Sequence, residues 1–172
     1  MSPEDKLTRD WVERFVVGLN LCPFAARPLH RGLVHFETCP AHDAEAAFYW
    51  AGARVQWQLN QPASQVETSL LVFPRGLDRF ELFLGFVEDI EYLLDESGAA
   101  DFIQLAHFHP RYHFNEVREN DPANATNRSP FPTVQLLRTE SVARAVREYP
   151  DIEEIPARNI ALLRGREPFT DE

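Results

Sequence analysis

Gln104-Leu-Ala-His-Phe-His-Pro-Arg-Tyr-His-Phe114 decides how this chain is read. Extended back to Asp101-Phe-Ile, its first half is an apolar run of strand length that ends in histidines. Pro110 restricts the residue before it to extended geometry, so the strand closes on His109. A segment rich in Asn, Asp, Arg and Pro then runs to Asn127-Arg-Ser-Pro-Phe-Pro132. Long loops without structure of their own are uncommon in compact domains and are often functional. The candidate site is therefore placed at this strand end and in the loop after it.

Upstream of that strand the patterns alternate. Ser2-Pro3-Glu4-Asp5 reads as a helix start, and Leu7, Trp11, Phe15 and Leu19 recur at helical spacing up to Asn20. Gly32 to Glu37 reads as a first strand. A second helix begins at Asp43, with Ala47, Ala51, Val55 and Leu59 on one face. Glu67 to Phe73 is a short apolar run suited to a buried strand. Asp78 and Glu81 match a capping box ahead of a helix that should end at Gly98. Thr133 to Tyr149 reads as helical, with a break near Thr139–Ser141, and Ile155 to Gly165 as a final helix. The tail after Arg166 is expected to fray.

This order predicts one α/β domain over residues 1–172, with an open sheet of three or more strands in βαβαβ order and flanking helices. A ferredoxin-like α+β sheet with mixed strand directions is the alternative. In open α/β sheets ligands favour the carboxyl ends of strands, which again points to His109.

Composition narrows the function classes. The chain has 172 residues, 44% hydrophobic and 26% charged, as in an ordinary soluble protein. Its net charge of −10 opposes nucleic acid and anionic membranes as partners, while leaving room for a local basic site that holds a small anion. No run approaches the roughly 18 apolar residues of a membrane span. The acidic start is unlike a signal peptide, and two cysteines do not make a disulfide scaffold. A cytoplasmic protein with reduced thiols is expected.

Several side chains could carry chemistry. Cys22 precedes Pro23, and as the cap of a helical turn its thiolate would be stabilised by backbone dipoles. Without that cap it is a small packed hydrophobe; Cys39 is read as structural. His109 suits general acid–base work. Arg111, Asn127, Arg128 and Ser129 could bind an anion through a guanidinium fork, an amide and a hydroxyl, with Ser129 also capping the helix expected to follow. His107, His109 and His113, with Cys22, offer a second possibility, a metal or haem site. No Gly-rich phosphate loop, Cys-x-x-Cys, Gly-x-Ser-x-Gly or His-Glu-x-x-His occurs, so no motif names a cofactor.

Trp11…Phe15-Val16…Leu19-Asn20-Leu21-Cys22-Pro23-Phe24-Ala25, Phe108-His109-Pro110…Tyr112…Phe114 and Thr126-Asn127-Arg128-Ser129-Pro130 together resemble the bacterial domain-of-unknown-function 1415 family. Val134…Leu136-Leu137-Arg138 and Ile155-Pro156…Arg158-Asn159-Ile160 extend the resemblance over nearly the whole chain. The family name brings no activity. It implies weight on Cys22, His109, Asn127 and Arg128, which lie on family-like motifs. The positions of His107 and His113 are commonly filled otherwise in that pattern, which counts against a three-histidine metal site.

Three functions follow as expectations. The leading one is an enzyme acting on a small anionic metabolite, with Cys22 as nucleophile or redox thiol, His109 as its base or acid, and Asn127 and Arg128 holding the substrate or a developing negative charge. The others are a metal- or haem-binding protein and a noncatalytic module presenting Trp50 and Trp57 to a partner.

Overall fold

The computed structural model describes residues 1–165, so the fraying expected after Arg166 lies outside the described residues. Four strands form one open, mixed sheet in the order β1-β2-β4-β3: β1 (Val34–Thr38), β2 (Thr68–Val72), β3 (Ile103–Phe108) and β4 (Thr133–Arg138). β1 and β2 are parallel, whereas β4 pairs antiparallel with both β2 and β3. The first three strands therefore run the same way, as the helix-linked order predicts, and the fourth is inserted between β2 and β3.

That insertion corrects the sequence reading, which made Thr133–Arg138 the start of a helix. Val134 and Leu136 are buried on one face of the sheet, with Ile103 and Leu71 in the same core. A short run of Thr, Val, Gln and Leu fits either period. Burial between two waiting strands outweighs the modest helix preference of two leucines. The helical pattern after Thr139 is real and forms α5 (Thr139–Glu148).

Two helical layers cover the sheet. On one face lie α3 (Ala44–Leu59) and α4 (Phe80–Ser97), which bury Ala47, Ala51, Phe83, Phe86 and Ile90 against Leu71, Phe73 and Val134. Asp43 caps α3 through the Ala46 amide. The capping box expected at Asp78 and Glu81 does not form; Arg79 occupies the cap position without a side-chain bond. Gly98 ends α4 in the left-handed conformation, φ 74°, that other residues rarely adopt.

On the opposite face lie α1 (Pro3–Trp11), its π-helical continuation Val12–Val17, and α2 (Ala26–His30). Val12 and Leu29 pack on Leu70, and Trp11 meets Phe108 edge to face at 5.2 Å. Ser2 and Asp5 form the capping box of α1, and Asp5 also accepts from Thr38, so this helix start is tied to β1. α6 (Ile155–Arg164) closes the chain order. Its Arg158 and Asn159 donate to the carbonyls of Asn20 and Leu21, both at 2.7 Å.

Trp50 and Trp57 are half-buried rather than displayed. Trp50 packs against Phe73 and Trp57 against His35. The partner surface expected of them loses its main feature.

Candidate functional site

β3 ends in a layer where its odd-numbered side chains face α4. His107 and His109 follow that alternation and meet Phe83, while Phe108 points to Trp11 on the other face. His109 is 1% exposed. Its Nδ1 accepts the Arg111 amide at 3.0 Å, so Nε2 carries the proton and donates to the Leu77 carbonyl at 3.0 Å. Burial lowers its pKa, and the nearby Arg111 charge acts the same way, against the Leu77 hydrogen bond. The imidazole is neutral near pH 7 and both nitrogens are occupied.

The loop is built around Asn124, which is fully buried. Its Oδ1 accepts the Phe114 amide, and its Nδ2 donates to the carbonyls of Arg118 and Glu119 at 2.7 and 3.2 Å. One side chain thus folds a ten-residue excursion back on itself. Asp121 starts the following 3-10 turn, Pro122–Asn127, by accepting the Ala123 amide. Arg164 of α6 holds the same carboxylate through two nitrogens at 3.1 and 2.8 Å, which keeps Asp121 below the usual carboxylate range. The Asp-Pro pair was a legible turn signal; the role of Asn124 carried no local sign.

Arg128 joins this scaffold. Its Nε donates to the Tyr112 carbonyl at 2.9 Å and its Nη2 to the Glu119 carbonyl at 2.6 Å, leaving Nη1 unengaged among the described residues. Asn127 donates to the His107 carbonyl, and its own carbonyl accepts from the His109 amide. Ser129 donates to the Phe131 carbonyl. The helix it was expected to cap is β4 instead, so no helix N-terminus assists an anion there. Asn127 and Ser129 are occupied in shaping the loop.

Arg111 and Arg128 do come together. With Pro110, Glu119 and Asn120 they line an open cleft of ≈ 490 Å³. Neither arginine has a carboxylate partner within ion-pair distance among the described residues. Glu119 and Asn120 were not singled out by sequence, and Pro110 only for its effect on His109, because only the fold of the loop turns them to one rim.

Cys22 stands apart from this cleft. The cap expected of Cys-Pro does not form on α2, which begins at Ala26 with Ala25 in the cap position and no side-chain bond, although the backbone amides of Phe24 and Ala25 act to lower the thiol pKa. The expected outcome is reversed: burial raises the thiol pKa and outweighs those amides. Among the described residues no hydrogen bond joins Cys22 to His109, whose nitrogens go to Leu77 and Arg111. The sequence-derived dyad is not assembled. Cys39 is 1% exposed, as its structural reading anticipates.

The histidines also disperse in role. His113 packs against Phe80 at 5.0 Å, and His107 lies near Phe83 and Tyr112 with a buried Nδ1 that has no partner among the described residues. Among the described residues no group of three His, Cys, Asp or Glu side chains is placed to hold a metal ion. No described helix is long and apolar enough to cross a membrane.

Residues 4–168 match the model of a family described as "Protein of unknown function (DUF1415)". No curated protein and no solved structure matches the chain.

Proposed function

The chain belongs to that family, and we propose that it binds a small organic anion in the cleft between Arg111 and Arg128. One observation carries this reading: in a chain of net charge −10, two arginines without carboxylate partners among the described residues line the same opening. Guanidinium is the side chain best suited to carboxylate or phosphate, because its donors form a planar fork. Arg128 is pre-positioned by its bonds to Tyr112 and Glu119, so little side-chain entropy remains to be lost on binding. Arg111 is exposed and supplies the second, adaptable arm.

The ligand is taken to be a cytoplasmic metabolite, in keeping with two unpaired thiols. Any chemistry on that ligand is an extension of the binding reading. It would not use His109 as a base without breaking the bond from the Arg111 amide to Nδ1. A thiol step at Cys22 would require first removing a proton that burial retains.

Thermal unfolding with added phosphate and dicarboxylates tests the proposal. Ligand that binds only the folded state raises the melting temperature with concentration. The expected result is a saturable rise that Arg111→Ala abolishes while leaving the unliganded melting temperature nearly unchanged. A rise that Arg111→Ala leaves intact, or no rise with any anion, sinks the reading.

A further inference from the structure

An acidic residue lines the cleft beside two basic ones, and that combination narrows the ligand. Glu119 lies on the rim with Arg111 and Arg128, yet no ion pair joins it to either among the described residues. Its main chain is fixed by the same network that shapes the cleft, since its carbonyl accepts from Asn124 and Arg128. Asn120 adds a neutral amide beside it. Counted by formal charge, Arg111, Arg128 and Glu119 leave the cleft with one net positive charge.

A bare dianion answers the arginines but is repelled by Glu119. Inorganic phosphate, only a few waters in size at roughly 30 Å³ per water, would also leave most of the ≈ 490 Å³ to solvent. Resting on the anion-binding reading above, we propose that the ligand is an amino dicarboxylate: two carboxylates for Arg111 and Arg128, and an ammonium for Glu119. Such a molecule carries one net negative charge near neutral pH, the complement of the cleft. The ammonium turns a repulsive neighbour into an attractive one, so Glu119 selects for the amine by discriminating against the simple diacid. Asn120 donates to or accepts from whichever polar group lies nearest.

Calorimetric titration of the full chain with L-aspartate and L-glutamate, set beside succinate and glutarate, tests this. The amino diacids should bind about tenfold more tightly than the diacids of equal length. Glu119→Gln should cut that preference to about twofold or less, chiefly by improving diacid binding. Arg111→Ala should weaken both classes together. Circular dichroism of each variant checks that the exposed substitutions leave the fold unchanged. If the native protein binds both classes equally, or keeps its preference in Glu119→Gln, the zwitterion assignment is overturned while anion binding stands. If neither class nor phosphate binds, both readings fall.

Discussion

His109 Nε2 lies 3.0 Å from the carbonyl oxygen of Leu77, so one imidazole ties the end of β3 to the turn that launches α4. The same ring orders the loop on its other side through the Arg111 amide, and it packs between Phe80 and Phe83. His109→Ala should leave a cavity and orphan both partners, costing about 2–4 kcal/mol. Urea unfolding reads this as a lower midpoint at unchanged slope. A loss below about 0.5 kcal/mol, the range of ordinary surface substitutions, would contradict the structural role.

Acid should destabilise the protein through the same cluster. Burial lowers the pKa of both His107 and His109. A base whose folded pKa is depressed binds fewer protons folded than unfolded, so stability rises with pH across that interval. Its contribution is complete above the ordinary imidazole value of about 6.5 and fades as pH falls through the depressed folded value. The unfolding midpoint should therefore drop between neutral pH and moderate acid. His107→Phe, which removes a buried Nδ1 without a partner among the described residues, should flatten that drop. An unchanged pH profile in His107→Phe would assign the acid effect elsewhere.

Asn124→Ala should loosen the cleft before it unfolds the domain. It removes three hydrogen bonds at one buried position, to Phe114, Arg118 and Glu119. The cost is about 2–3 kcal/mol, with carbonyls re-exposed to water absorbing part of the loss. Amide hydrogen exchange should accelerate across residues 114–120 far more than in β2 or α4. Uniform acceleration throughout the chain would mean that Asn124 supports the core rather than the loop.

Cys22 should alkylate slowly at neutral pH, and its rate should climb only above the usual thiol range. Desolvation holds the thiol protonated despite two amide donors. It should still react ahead of Cys39, which is more completely buried. Timed alkylation followed by mass spectrometry reads both sites together. Labelling of Cys22 faster than a free thiol at pH 7 would restore the activated-thiol expectation.

Arg138→Lys should be far from conservative. The guanidinium donates to the carbonyls of Val66, Gln58 and Gln61 at 2.7 to 3.0 Å, joining the end of β4 to the connection between α3 and β2. A lysine cannot reproduce this fork, and the expected loss is about 2 kcal/mol. Calorimetric melting should show it. A melting temperature within one degree or so of the native value would deny the clamp.

Much of this molecule was settled by the sequence alone. The 3.6-residue spacing of Ala47, Ala51 and Val55, with Asp43 before it, is a property of the local chain, and α3 follows it closely. The apolar runs ending at Phe73 and Phe108 likewise mark β2 and β3, and the proline-rich segment after His109 marks the loop that holds the cleft. Tertiary structure decided what those patterns leave open. Residues 133–138 became a strand because β2 and β3 offered backbone partners on both sides. His109 lost its freedom to act as a base because Leu77, thirty-two residues away, fixes its proton on Nε2, and the Arg111 amide takes the remaining lone pair on Nδ1. Cys22 lies near the amides of Phe24 and Ala25 yet gained no acidity, because packing removed water from the sulfur. Periodicity and capping are local. Hydrogen-bond partners, strand direction and desolvation depend on distant segments, and only folding brings those segments together.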